Sequence, residues 1–276
     1  MFSIMLRGLA VGMIETVPGI SGSTVAMILG LYERLIYSFS VLTTKKRKEV
    51  IPFLLTFGAG MVIGFGISVT IIYYLLSTYR VPTMMFFAGI IVGFLPYLWK
   101  EAEQRANHRL TTKHFGIIAL FLLIIFAFQA LGGTTTMDPA NLSGTDYLFF
   151  VTSGFIASTA LVLPGISGAL ILTILGVYET AISSLAEMNL PVILTLGAGG
   201  CLGVLFTSKL IRYMLIHYSS ETYAAMIGLV TGSIFVIFTS IPWSFDITML
   251  VTSFFTFTAG AFIVRTISNL KTSHAH

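Results

Sequence analysis

Long apolar stretches separated by short polar loops dominate the chain. Six of these stretches approach or exceed the roughly 20 residues that a helix needs to cross a bilayer. They cover residues 50–78, 82–99, 115–131, 191–216, 223–241 and 247–266. The pattern therefore predicts six transmembrane helices. Two further apolar stretches, residues 1–41 and 147–186, are each interrupted near the middle by the same sequence, PGISG.

The two PGISG sequences, Pro18–Gly22 and Pro164–Gly168, exclude a continuous helix. Proline removes a backbone donor and glycine is conformationally free, so each stretch is predicted to be a helical hairpin. Its arms are about 17 residues long, which is borderline for crossing a bilayer. Because the turns carry no charge, we interpret both hairpins as re-entrant, entering and leaving the membrane on the same face. Hairpins that cross the membrane twice are the alternative, and they would leave the topology of the rest unchanged.

The hairpins belong to an internal repeat. Residues 18–36 align without gaps to residues 164–182, with eleven identities in nineteen positions. Glycines downstream recur as well, and the basic loop 43–49 accounts for seven extra residues in the first half. The recurring glycines are Gly58, Gly60, Gly64, Gly89 and Gly93, matched by Gly197, Gly199, Gly203, Gly228 and Gly232.

Each half then holds one hairpin and three spans. Because three is odd, the second half starts on the opposite side, and the sequence predicts an all-α integral membrane protein of two inverted-topology repeats. The repeats are residues 1–131 and 147–276, joined by an external loop, 132–146. This architecture is typical of secondary transporters, whose sites form where broken helices meet.

Composition agrees with a membrane protein and orients it. Hydrophobic residues make up 56% of the chain and charged residues 9%, against about 25% charged in soluble domains. The net charge of +4 comes from loops such as 43–49 and 100–113, so it does not indicate nucleic-acid binding. Positive loops stay cytoplasmic, which predicts cytoplasmic termini and a multi-pass protein of the cytoplasmic membrane.

The repeated turn has the chemistry of an anion site. A helix that restarts after Gly22 leaves backbone N–H groups unpaired, and hydroxyl side chains lie beside them. Inverted halves bring two such turns face to face near the middle of the membrane. The phosphate-binding residues predicted on this basis are Gly19, Ser21, Gly22, Ser23 and Thr24 in the first half, and Gly165, Ser167 and Gly168 in the second.

Five charged residues are candidates for coupling or for a charge pathway. Glu15 lies three residues before the first turn, and its repeat partner, Leu161, is apolar. A buried carboxylate in a membrane must be paired or protonated. The other candidates are Glu33, Arg34, Lys209 and Arg212. Lys209 and Arg212 either line a phosphate pathway or extend their charged ends to the membrane–water interface.

Nothing in the sequence indicates catalysis or a cofactor. There is no nucleotide-binding GxxxxGK[ST], no HExxH and no GxSxG, and the five histidines occupy loops or the terminus without an evident metal partner. The single cysteine, Cys201, excludes an intramolecular disulfide.

The repeated proline–glycine turn and the Gly-x-Tyr-Glu sequence that follows it resemble the bacterial polyprenyl-phosphate transporter family (PopT). The resemblance covers essentially the whole chain, and its opposed hairpins are similar to those of DedA-type lipid transporters. It implies return of undecaprenyl phosphate, the lipid carrier of cell-wall synthesis, from the outer to the inner leaflet. Ala169 and Leu170 depart from the repeat, since they replace Ser23 and Thr24.

Three functional classes follow from these observations. The first is a polyprenyl-phosphate transporter, whose partners are that lipid, the surrounding membrane lipids and a possible coupling ion, proton or sodium. The second transports a small water-soluble anion and needs a pocket closed to lipid. The third is a structural membrane protein, in which side chains fill the PGISG pockets. The residues leave the oligomeric state open.

The orientation is testable by cysteine accessibility. In a Cys201→Ala background, single cysteines in loops 43–49 and 100–113 should react with impermeant maleimide only from the cytoplasmic side. A cysteine in residues 131–146 should react only from outside. External labelling of both a basic loop and residues 131–146 would contradict the predicted topology.

Overall fold

The structure, a computed structural model, consists of α-helices throughout its described part. It describes residues 1–15, 21–106, 109–130, 144–239, 241 and 247–273. Within these residues twelve helices follow one another: α1 (Phe2–Ile14), α2 (Gly22–Ile28), α3 (Tyr32–Val41), α4 (Arg47–Thr78), α5 (Arg80–Ala106), α6 (Thr112–Ala130), α7 (Gly144–Val162), α8 (Gly168–Ile174), α9 (Tyr178–Ala186), α10 (Leu190–His217), α11 (Ser219–Thr239) and α12 (Ile247–Ser273).

The six predicted spans correspond to α4, α5, α6, α10, α11 and α12. Among the described residues, six helices are long and apolar enough to cross a membrane: α4, α5, α7, α10, α11 and α12. Helix α7 thus replaces α6 in the predicted set. In α6 the continuously described apolar stretch, Thr112–Ala127, falls below that length. The chain is therefore an all-helical, multi-pass membrane protein.

The hairpins differ from the prediction in their second arms. Instead of one arm of about 17 residues, α2 and α3 form an angle of 118°, and Gly30 between them has φ of +71°. The second half breaks in the same way between α8 and α9, where Gly176 also has φ of +71°. Glycine adopts this left-handed conformation without steric cost. The shared Gly-x-Tyr-Glu sequence thus marks a second break that hydrophobic periodicity does not reveal.

Within each half, the first helix packs against the first long helix through glycine. A Cβ on Gly60 of α4 would lie 2.1 Å from the carbonyl oxygen of Met5 in α1. In the second half, a Cβ on Gly199 of α10 would lie 2.0 Å from the carbonyl oxygen of Val151 in α7. Such close backbone approach is how membrane helices associate, because lipid provides no hydrophobic drive between them. The recurring glycines Gly60 and Gly199 therefore make equivalent contacts in the two halves.

The contacts between the halves also follow the repeat, because exchanging the two halves turns each contacting pair of helices into an equivalent contacting pair. Helix α5 packs on α12, and its repeat counterpart α11 packs on α6. The counterparts α5 and α11 pack directly on each other. These two helices are the most buried of the candidate spans, and their side chains, including Phe94 and Met226, belong to the main core. The main hydrophobic cluster therefore lies between the halves, and smaller clusters lie within each half.

The glycine contacts make a stability prediction with an internal control. Gly60→Ala should lower the free energy of unfolding by about 1–3 kcal/mol, because the new methyl group overpacks the α1–α4 contact. Gly58→Ala, on the same helix but with no atom within 4 Å of its added Cβ, should be neutral or stabilising by up to about 1 kcal/mol. Thermal unfolding in detergent measures both, and equal midpoints would contradict the close-contact interpretation.

Candidate functional site

The start of α2 contacts the turn of the second hairpin directly. The backbone N–H of Gly165 donates to the Thr24 hydroxyl over 3.0 Å. The Ser23 hydroxyl donates to the carbonyl of Leu163 over 2.9 Å. The Ser21 hydroxyl lies 2.5 Å from that of Ser23, and because the single Ser23 proton is already used, Ser21 must be the donor. Two hydroxyl groups of the first half, those of Ser23 and Thr24, therefore bind backbone of the second, and Ser21 supports Ser23.

Two further bonds complete the polar cluster at this contact. The buried Tyr32 hydroxyl, at the start of α3, donates to the carbonyl of Val162 over 3.2 Å. The backbone N–H of Gly22 donates to Oε1 of Glu15 over 3.1 Å. The Glu15 carboxyl group thus accepts the first backbone N–H of α2. This donor is one of the groups from which the sequence predicts phosphate binding.

A small cavity of about 120 Å³ opens at this cluster. Its polar wall is formed by Glu15, Gly22, Ser23 and Tyr32, and Leu161 and Val162 of α7 close it from the second half. We call it the tip cavity. It is a mostly apolar space with a few polar groups at one end, as is usual for small-molecule sites.

The second half contains the counterpart of the tip cavity. A space of about 450 Å³ lies against α7, α8 and α10 and is lined by Leu161 and Gly168, which align with Glu15 and Gly22. Apolar Leu161 stands where the first half has its carboxylate. Smaller side chains also widen it, since Ala181 replaces Leu35 and Leu196 replaces Phe57. The polar chemistry is therefore concentrated in the first half.

The short helices change the expected source of anion binding. Both α2 and α8 have only seven residues, so each aligns few peptide dipoles. Ser21 and Ser167 occupy the N-cap positions, but neither caps its helix with a side-chain hydrogen bond. Individual donors and hydroxyl groups, rather than a helix dipole, are thus the available ligands. Gly19 lies outside the described residues.

The remaining charged candidates lie away from the tip cavity. Glu33 binds Arg105, with 2.7 Å between Oε1 and Nη2, and it accepts a bond from the Tyr223 hydroxyl over 3.0 Å. Arg105 also binds Glu101 on its own helix over 3.0 Å. The network ties α3 to the end of α5 and the start of α11. Because Glu33 and Arg105 are partly exposed, their ion pair contributes little stability, typically about 0–1 kcal/mol.

The other cations have separate surroundings. The guanidinium of Arg34 lies 4.2 Å from the ring centroid of Phe53. Arg212 donates to the Ser40 hydroxyl over 3.2 Å and lies over the ring of Tyr37, so it joins α10 to α3. Lys209 is exposed. The structure thus separates Arg212, which makes defined contacts, from Lys209, although the sequence suggested one role for both.

Sequence reasoning missed Tyr32, Arg105 and Tyr223. A signal existed for Tyr32, because Gly-x-Tyr-Glu is identical in the two halves. Arg105 and Tyr223 lie in unrepeated positions and carry no such signal. Within the described residues, no three His, Cys, Asp or Glu side chains are placed to hold a metal ion.

Comparison with known proteins identifies the family. Residues 11–255 match the family model described as undecaprenyl phosphate translocase-like. The chain belongs to this family. A polyprenyl-phosphate transporter of Staphylococcus aureus is 34% identical over 274 residues, which cover 96% of this chain and 95% of that protein. A polyprenyl-phosphate transporter of Vibrio cholerae is 31% identical over 245 residues, covering 84% and 76%.

Membership of the translocase-like family confirms the resemblance that the repeated turn and its sequel predicted. No solved structure matches the chain. The geometry of the tip cavity therefore has to be interpreted from this chain's own residues.

Proposed function

We propose that this protein carries a polyprenyl phosphate, specifically undecaprenyl phosphate, across the cytoplasmic membrane, with its phosphate held at the hairpin tips. The observation that supports this most directly is the tip cavity. It places a carboxyl group, two hydroxyl groups and a backbone donor inside an apolar membrane protein, where polar groups are costly and mark function. The two relatives named polyprenyl-phosphate transporter support the lipid as the substrate.

The proposed transport direction is return of the carrier to the inner leaflet, and an inverted repeat in the proposed orientation gives the site access to both leaflets. The packing of α5, α6, α11 and α12 maps onto itself when the halves are exchanged, as a two-fold axis in the membrane plane requires. The basic loops favour a first hairpin that enters from the cytoplasm and a second that enters from outside. A site between opposed re-entrant hairpins can then open alternately to each leaflet and return the carrier to the inner one for cell-wall synthesis.

Binding of the phosphate requires an exchange of anions at Gly22. In this structure the Glu15 carboxyl group accepts the Gly22 N–H. An incoming phosphate offers a stronger acceptor for the same donor. The Ser21 and Ser23 hydroxyls, which donate to Ser23 and Leu163 in this structure, would turn to the phosphate in the same exchange, and the Ser167 hydroxyl is a further donor near the tips. Ionised Glu15 repels the phosphate, whereas protonated Glu15 releases the donor and tolerates it. Proton uptake at Glu15 would thereby couple transport to pH.

The principal alternative is a transporter of a small water-soluble anion, which uses the same tip cavity. It differs in needing no contact with an apolar chain. A purely structural role is disfavoured because the tip cavity is open space beside polar groups rather than a site filled by side chains.

The phosphate site is tested by adding bulk at the tips. Gly22→Val places its Cβ on Glu15 Oε1, and Gly168→Val narrows the second cavity, so both should abolish flipping of labelled undecaprenyl phosphate in proteoliposomes. Ser21→Ala or Ser167→Ala removes one hydroxyl group and should weaken binding by about 0.5–1.5 kcal/mol. Controls are Gly66→Val, which adds a side chain in open space, and Lys209→Gln. Full activity of well-folded Gly22→Val and Gly168→Val would place the headgroup elsewhere.

The coupling role is tested by Glu15→Gln, which keeps the shape and the acceptor oxygen but cannot ionise. Flipping by the wild type should depend on external and internal pH, and the variant should lose that dependence. Glu33→Gln, in the network distant from the tip cavity, is the matched control and should keep the wild-type pH profile. A Glu15→Gln variant with an unchanged rate and pH profile would make Glu15 a structural residue.

A further inference from the structure

The first hairpin separates the tip cavity from a much larger apolar groove. The groove holds about 730 Å³ and lies between α1, α2, the end of α4, α5 and α12. Ile14 lines it, whereas the next residue in the chain, Glu15, lines the tip cavity. In α2, Val25 faces the groove and Ser23 faces the cavity. The two spaces are thus about one helix diameter apart, roughly 10 Å.

The groove has the shape and chemistry of a site for a long apolar chain. Its residues on α12 run from Thr252 to Val264, about 18 Å along the helix. The opposite wall contains Phe86 and Phe87 of α5. The hydroxyls of Thr252 and Thr256 bond to carbonyls of their own helix, so the groove offers methyl groups and aromatic rings rather than free polar partners.

Among the described residues, the equivalent positions of the second half belong to a packed cluster of buried side chains. The side chains compared are of similar total size, so residue size at these positions does not explain the difference. This difference restricts the open surface to the half that also carries Glu15. The compared pairs are Ile14 and Ala160, Val25 and Ile171, Ile90 and Leu229, and Val264 and Ile125.

We propose that this groove holds the isoprenoid chain of the substrate while its phosphate occupies the tip cavity. The inference rests on the proposed function. A lipid of many isoprene units is long enough to reach from the cavity into a groove about one helix diameter away. The first hairpin then lies between head and chain. A water-soluble anion would make no use of the groove.

The test fills the groove and compares lipids that differ only in chain length. Thr256→Trp projects an indole into the groove, and Thr258→Trp, on the exposed side of the same helix, is the control. Binding of undecaprenyl phosphate and of geranyl phosphate is measured for each purified protein. Thr256→Trp should weaken undecaprenyl phosphate about tenfold or more, as expected when about two methylene groups lose their burial. Geranyl phosphate binding and the Thr258→Trp control should be unchanged.

Each outcome distinguishes the groove from the function. If Thr256→Trp keeps the full preference for the longer lipid, the chain lies elsewhere and ordinary membrane lipid fills the groove, which overturns the inference alone. If the wild type binds neither phosphate above a neutral polyprenol, the proposed function fails.

A second measurement avoids mutation. Undecaprenyl phosphate with a photoreactive group on one of the isoprene units near its phosphate should label wild-type α12 between Thr252 and Val264, or α5 near Phe86. Labelling confined to α7 and α10 would overturn the inference.

Discussion

A proline–glycine break inside an apolar segment leaves backbone groups that lipid cannot satisfy, and the rest of the structure follows from this constraint. The two hairpins meet it largely through each other. Thr24 accepts the Gly165 N–H, and the Ser23 and Tyr32 hydroxyls donate to carbonyls of the second turn. At the end of α1, the carbonyl of Met13 accepts a hydrogen bond from the Ser68 hydroxyl of α4 over 2.6 Å. The polar groups therefore cluster where the two hairpins meet, and this cluster is the candidate site.

The two halves share a sequence pattern but differ in their polar groups and in the spaces beside their hairpins. Glu15 gives the first half a carboxyl group where the second half has Leu161, and the first hairpin faces an open groove where the second faces a packed cluster. The two halves thus present different arrangements at equivalent positions. Under the proposed inverted repeat, exchange of these arrangements between the halves would reverse the side that is open.

The contacts at the ends of the helices suit such an exchange. The network of Glu33, Arg105 and the buried Tyr223 joins the first hairpin to α5 and α11. Its ion pair between Glu33 and Arg105 is partly exposed, and such ion pairs can break at little cost. The glycine contacts of α1 with α4 and of α7 with α10 are of the opposite kind, because their backbones are in close contact over several turns. We therefore expect each hairpin's first helix to move together with the long helix on which it packs.

The sequence alone determined the apolar helices, the proline–glycine breaks after α1 and α7, and the recurrence of glycines in the two halves. These features depend on bilayer thickness and on the local chemistry of proline and glycine, so they can be predicted from segments of a few tens of residues. It did not determine that Thr24 meets Gly165, 141 residues away, that Glu15 occupies the Gly22 donor, or that Arg105 joins Glu33 to Tyr223. Only the tertiary structure decided these contacts, because hydrophobic periodicity shows which face of a helix is apolar and not which distant side chain that face will meet.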